Sequence, residues 1–136
     1  MPRGAAVGRP VDGFRGSPRR IQRPDGYTYL DPTAFPKAFA ADLPPDEAEF
    51  EAHAQMLTAA GVFTAPVTDP AWKVKPSWAL VVDADEIINP DLERFYAARA
   101  HSHVVEVEGA SHSVYQSRPK EVAALIEEAA LHAEDR

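Results

Sequence analysis

Residues 77–112 read SWALVVDADEIINPDLERFYAARAHSHVVEVEGASH, and this stretch decides the fold. The apolar run at 77–82 is typical of a strand covered on both faces, and His103 to Val107 predicts a second strand. Between the two runs, Asn89-Pro90 is a favourable helix start. One face of that helix carries large side chains: Leu92, Phe95, Tyr96 and Arg99. A strand, a helix and a strand with short links predict a right-handed βαβ unit with parallel strands.

Each predicted strand is followed by a residue suited to acid–base chemistry. Asp85 comes after the first strand and His112 after the second. Because parallel strands end at the same sheet edge, where ligands and catalytic groups collect, we expect the two side chains to meet there. A histidine can accept a proton from a hydroxyl nucleophile, and a carboxylate behind it fixes its tautomer. The pair therefore predicts two thirds of a hydrolytic triad.

Other interpretations of these residues stay open. Asp83 and Glu86 are rivals of Asp85 for the acid, and an acid in a βα loop often serves only as a cap or turn former. His101 and His103 flank a strand start and suggest a metal pair, but no third ligand of suitable spacing is evident. We therefore expect neither a metal nor a cofactor.

The sequence upstream of the βαβ unit divides into two regions. Residues 1–25 carry six arginines against two aspartates, a local charge of +4 in a chain of net charge −7, and we expect a disordered basic arm. Residues 26–75 predict a largely helical region, with a short extended patch at its start, a helix from Asp31-Pro32 to about Ala41, and a second over 45–60 that Gly61 ends. Residues 76–136 then form a C-terminal βαβα part, which closes with an amphipathic helix.

Composition limits the classes of function. The net charge of −7 argues against nucleic-acid binding, and no segment is long enough to span a membrane. Arg19-Arg20 is not a twin-arginine signal because no apolar stretch follows it. The chain has no cysteine, which excludes disulfides and thiolate metal sites. We expect a cytoplasmic protein.

Several segments resemble one enzyme family. They are Pro70–Trp78, Asp85 with Ile88-Asn89-Pro90, Leu92, Arg94-Phe95, Val105–Val107, Ser111-His112 and Ser117-Arg118-Pro119. With residues 25–31 and 39–42, they resemble the C-terminal part of an α/β-hydrolase over about residues 24–133, most of all small bacterial esterase-like members related to plant methylesterases and hydroxynitrile lyases. The resemblance implies a partial α/β-hydrolase fold of the α/β class, a helical cap plus a C-terminal βαβα unit. It also implies that Asp85 and His112 are the acid and base of the triad.

The family's nucleophile motif is missing. That serine lies in a G-x-S-x-G turn before the cap, and no such turn occurs in these 136 residues. Gly4 to Gly8 has the glycine spacing around an alanine, Ser111 and Ser113 should point away from the His112 ring, and Ser77 opens the opposite end of its strand. We therefore expect little or no esterase activity from the chain alone. The arginine-rich leader differs from family sequence and indicates a disrupted reading frame.

Two hypotheses follow. In the first, the chain is the C-terminal part of a hydrolase for a small ester-like molecule, with Met56, Phe63 and Trp72 binding the substrate. Together with Phe35 and Phe39 these side chains shape an apolar acyl pocket, although packing in a core explains them equally well. In the second, the chain is a non-catalytic truncated or degenerate protein that binds a ligand or a partner through its exposed sheet edge. Such an edge predicts a homodimer or a complex with a complementing N-terminal fragment.

Overall fold

The computed structural model describes residues 20–134, which form two groups of elements. The first comprises β1 (Arg20–Gln22), β2 (Tyr27–Leu30), α1 (Phe35–Phe39), α2 (Pro45–His53) and β3 (Thr58–Ala59). Two 3-10 helices, Ala60–Phe63 and Ala71–Lys73, lie in the connection to the second group. That group comprises β4 (Trp78–Val82), α3 (Pro90–Arg99), β5 (His103–Val107), α4 (Val114–Ser117) and α5 (Pro119–Glu134).

The βαβ unit forms as predicted. β4 and β5 are parallel and in register from Trp78 opposite His103 to Val82 opposite Val107. α3 connects them and begins as the sequence predicts, because Asn89 Oδ1 accepts the Asp91 N–H at 3.0 Å and a proline occupies the first turn. The strand ends therefore place the following loops at one edge of the sheet.

The face of α3 that carries the large side chains is partly exposed. Phe95 and Tyr96 are more than half exposed, and the helix buries Pro90 and Ala97. α3 ends with His101 in the left-handed region, at a φ of 53°, and the Ser102 N–H donates to Ala97 O at 2.9 Å.

The cap region contains a sheet that the helical prediction missed. β2 pairs antiparallel with β1 on one side and with the short β3 on the other. Gly26 permits the tight turn before β2 because it adopts a φ of 85°. Arg20–Gln22 thus lie in a strand, although we expected the disordered arm to reach residue 25; residues 1–19 of that arm lie outside the described residues.

Both cap helices are shorter than predicted. α1 begins at Phe35 because Pro36 lacks an N–H and is tolerated only in the first turn. α2 ends at His53, where the Gln55 side chain bonds to both the N–H and the C=O of Leu30 at 2.9 Å. The chain then leaves the helix to pair with β2, so Gly61 lies in a 3-10 helix rather than at a helix end.

Each of the two groups of elements has its own small hydrophobic core. The cap core contains the stacked rings of Phe35 and Phe39, whose centroids are 4.6 Å apart, and the buried faces of Ala48 and Ala52. The second core lies at the carboxyl ends of the parallel strands: Val82, Val107 and Ala110, with Leu80 and Val114 against them. In the part of the chain that the structure describes, no helix combines the length and apolarity needed to cross a bilayer.

Candidate active site

Asp85 and His112 meet at the edge where β4 and β5 end. The carboxylate Oδ2 of Asp85 lies 2.7 Å from Nδ1 of His112. The Asp85 side chain is 1% exposed, whereas that of His112 is 27% exposed. Because an ionised carboxylate only accepts hydrogen bonds, Nδ1 carries the proton in this contact and Nε2 is the basic nitrogen of the neutral ring. This is the tautomer that a general base needs.

The sequence after β4 explains why Asp85, rather than a neighbour, reaches the histidine. Its second oxygen, Oδ1, accepts the N–H groups of Ile87 at 2.6 Å and Ile88 at 3.0 Å, as short acids do in tight turns. Asp83 is exposed and instead accepts the Gly109 N–H at 2.6 Å. Glu86 is also exposed, so neither rival lies in this contact.

The cap supports His112 from its other side. The ring of Phe39, in α1, meets the imidazole edge-to-face with centroids 4.6 Å apart. The backbone N–H of Ser113 donates to the Phe39 carbonyl oxygen at 2.9 Å. No sequence pattern indicated this contact, since 73 positions separate His112 from Phe39 and no periodicity links the two segments.

His112 lies on the wall of a cavity of about 630 Å³. Four of the residues predicted to shape an acyl pocket also line it: Phe35, Phe39, Met56 and Phe63. Trp72 does not, because its ring lies beside α3 with the Arg99 guanidinium 5.2 Å from the ring centroid. The prediction missed several other lining residues: Tyr29, Leu30, Ile87, Ile88 and Tyr115. The sequence could have indicated Ile87 and Ile88, because they are apolar residues that follow Asp85 in the loop after β4. The roles of these residues in binding stay a prediction.

The hydroxyl groups near the pair point elsewhere. Ser111 Oγ bonds to Asp42 and to the Phe39 carbonyl oxygen, and Ser113 Oγ lies 3.2 Å from Ser111 Oγ. Ser77 Oγ lies 2.7 Å from Ser102 Oγ, at the opposite end of β4. Within residues 20–134, no serine or threonine hydroxyl forms a hydrogen bond with Nε2 of His112. The hydroxyl groups of Ser77, Ser111 and Ser113 therefore bond away from the Asp85–His112 pair.

His103, one of the two histidines considered above as a metal pair, packs against an aromatic ring at the start of β5. His103 stacks on Trp78 with centroids 5.0 Å apart, and His132 of α5 lies near the same ring. Across residues 20–134, no group of three histidine, aspartate or glutamate side chains is arranged to hold a metal ion.

A second acidic side chain lies close to the pair. Burial and the negative charge of Asp85 raise the pKa of Glu93 from its ordinary 4.5 to about 7, although a backbone hydrogen bond with Val82 and the positive charge of Arg94 partly oppose the shift. Its Oε2 atom is buried and has no hydrogen-bond partner among the described residues. Near neutral pH this carboxyl is therefore close to half protonated, unlike an exposed glutamate.

Glu93→Gln is expected to remove part of the pH dependence of stability. Because the folded chain holds the Glu93 proton more tightly than the unfolded chain, the free energy of unfolding falls as pH rises from 4.5 to about 7. The neutral amide avoids this loss, so the variant should be the more stable protein at pH 8. Urea unfolding at pH 5 and pH 8 measures the difference, with Glu127→Gln on exposed α5 as the control. Equal pH dependence in all three proteins would contradict the assignment.

Comparison with known proteins gives one match. A family model described as "Alpha/beta hydrolase family" matches residues 1–125. The match begins and ends earlier than the range of about 24–133 over which we noted the resemblance, and it includes the arginine-rich segment. No curated protein and no solved structure matches the chain.

Proposed function

Because the chain belongs to the α/β-hydrolase family, we propose that Asp85 and His112 are the acid and base of a site that hydrolyses ester or related acyl bonds. The observation that carries the proposal is the 2.7 Å contact between the buried Asp85 carboxylate and His112 Nδ1, on the wall of the cavity. In this proposal His112 takes a proton from a hydroxyl nucleophile and returns it to the leaving group. Asp85 holds the ring in place and stabilises the imidazolium that forms.

The nucleophile is assigned to polypeptide outside these 136 residues. The sequence contains no G-x-S-x-G turn, the Ser111 hydroxyl bonds to Asp42 of the cap, and the Ser113 hydroxyl lies against that of Ser111. A base without a hydroxyl to activate cannot form an acyl-enzyme. The chain alone is therefore proposed to be inactive, and the site to be completed by a segment that carries the serine elbow.

The substrate proposed for the completed site is a small ester with an apolar acyl group. Support comes from the cavity wall, where Phe35, Phe39 and Phe63 lie with Met56, which is 89% exposed. Within the family, we assign the chain to the esterase-like members related to plant methylesterases and hydroxynitrile lyases. That assignment rests on the sequence segments at 70–78 and 85–95.

A serine-directed phosphonate probe tests the proposal. We expect no labelling of the 136-residue chain, and labelling of the supplied serine when the chain is combined with the N-terminal part of a family member that carries the elbow. His112→Ala should abolish that labelling, whereas His53→Ala, which removes an exposed histidine from the end of α2, should not. Labelling of the combined protein that survives His112→Ala would contradict the proposed base.

A second candidate function, partner binding without catalysis, has its own support. Among the described residues, β4 pairs only with β5. Nearby apolar side chains are exposed, among them Val104, Val105, Ile126 and Leu131. Such a surface favours a homodimer or a complex with a complementing fragment. A combined sample that stays unlabelled while the chain sediments as a dimer would favour this candidate, and a monomer at high concentration would count against it.

A further inference from the structure

A buried group of hydrogen bonds joins the end of the cap helix α1 to the turn that carries His112. It consists of Asp42, the Phe39 carbonyl, Ser111 and Ser113, and we refer to it as the serine clamp. Ser111 and Ser113 flank His112 in sequence and are 1% and 0% exposed. Ser111 Oγ contacts Asp42 Oδ1, lies 3.2 Å from the Phe39 carbonyl oxygen, and lies 3.2 Å from Ser113 Oγ.

The hydrogen-bond donors and acceptors of the clamp show that its strongest contact is the one between Ser111 and Asp42. A serine hydroxyl has one proton to donate and two lone pairs that accept. The Ser111 proton goes to Asp42, because a carboxylate is a stronger acceptor than the Phe39 carbonyl. The Ser111 oxygen can then accept the proton of Ser113. Asp42 therefore ends a chain of hydrogen bonds that runs through both neighbours of His112.

The charge on Asp42 is retained despite its partial burial. Burial by itself raises the pKa of this carboxyl, but interactions with Ser111 and Ser117 outweigh it and hold the pKa below its usual range. An ionised acceptor makes the Ser111 contact a charge-assisted hydrogen bond, stronger than a neutral one. The contact also joins residues 69 positions apart, so it fixes the turn to a separate segment of the fold.

The clamp has a direct consequence for the His112 ring. Both residues beside His112 are fixed, and the Ser113 N–H donates to Phe39 O at 2.9 Å. These bonds leave the backbone at residue 112 little freedom, and the ring that projects from it contacts the Phe39 ring and the Asp85 carboxylate. The clamp thus fixes the backbone from which the ring reaches Asp85.

We propose that Asp42, acting through Ser111, is a positioning residue that holds His112 at hydrogen-bond distance from Asp85. The proposal rests on the proposed function in taking the Asp85–His112 pair as the acid and base. The cap then does more than line the cavity, because Asp42 also sets the geometry of the proposed base.

The test follows the Nδ1 proton of His112 by NMR in the full 136-residue chain labelled with 15N-histidine. This proton should give a far-downfield resonance because it bonds to the Asp85 carboxylate. Asp42→Ala and Ser111→Ala should speed its exchange with water by about 10-fold or more, the factor expected from losing one charge-assisted hydrogen bond. Asp42→Asn keeps an oxygen acceptor for Ser111 and should preserve slow exchange.

The matched control is Gln116→Ala, which removes a different hydrogen bond between cap and C-terminal part, from Gln116 Nε2 to Glu51 Oε1 at 2.8 Å. If both clamp variants only lower the melting temperature and exchange this proton as slowly as Gln116→Ala, the clamp is structural and the inference is overturned. If Asp42→Ala does not fold, Ser111→Ala decides by the same comparison. A wild-type chain without the downfield resonance would overturn the acid–base pair itself, and the positioning role with it.

Discussion

The 136-residue chain alone is expected to hydrolyse a p-nitrophenyl ester on the order of a million-fold more slowly than the same chain completed by a segment that carries the serine elbow. The reason is that the base and the nucleophile act as a unit, so that removing either costs nearly as much as removing both. Within residues 20–134, His112 bonds to Asp85 through Nδ1, and no serine or threonine hydroxyl forms a hydrogen bond with its Nε2. Initial rates of ester hydrolysis with and without the completing segment measure the ratio.

His112→Ala should return the completed protein to the rate of the chain alone. His53→Ala should retain most of the activity, because that side chain is exposed and bonds only to the Glu49 carbonyl oxygen of its own helix. Ester hydrolysis by the chain alone at the rate of the completed protein would mean that a nucleophile exists within these residues, and the assignment of the serine to another segment would fall.

Asp85→Ala is expected to destabilise the fold by about 3–5 kcal/mol, because three N–H donors lose a charged acceptor and each buried donor left without one costs about 1–3 kcal/mol. The loss has two parts. The N–H groups of Ile87 and Ile88 lose their acceptor Oδ1, and the Nδ1 proton of His112 loses Oδ2. Because the Asp85 side chain is 1% exposed, water cannot readily replace the missing oxygens. Urea unfolding of the chain, followed by the fluorescence of its tryptophans, measures the change.

Asp85→Asn separates the two parts of this loss. The amide oxygen can still accept the N–H groups of Ile87 and Ile88, so stability should fall by only about 1–2 kcal/mol. Its NH₂ group, however, then faces His112 and favours the tautomer with Nδ1 unprotonated. In the completed protein the rate should fall by about ten-thousand-fold. Equal losses of stability in the alanine and asparagine variants would show that the turn contacts contribute little.

The sequence predicted those parts of the structure that follow from local patterns. The apolar runs at 78–82 and 103–107 and the Asn89-Pro90 start determined the βαβ unit, and topology then placed Asp85 beside His112. The local pattern left Asp83 as a rival, and Asp85 was preferred on its family resemblance; in the structure Asp85 is the carboxylate that accepts the Ile87 and Ile88 N–H groups.

The missed features depend on contacts between distant segments. The pairing of Thr58 with Thr28 ends α2 early, and no helical periodicity reveals such a competitor. On α3, Phe95 is exposed whereas Ala97 is buried, and hydrophobic patterning gives little weight to so small a residue. Trp72 was predicted to shape the acyl pocket as an apolar residue of the cap region, but its ring lies beside the Arg99 guanidinium and does not line the cavity.

The contact of Phe39 and Asp42 with the His112 turn changes how this protein can be engineered. A cap is usually treated as an exchangeable module, replaced between relatives to alter which molecules enter. Here a graft that brings in a foreign segment at 39–42 would also replace the partners of Ser111 and Ser113. Residues 39–42 and 110–113 therefore form one transplantable unit, and chimeras that split it should lose the alignment of the imidazole even when both halves fold.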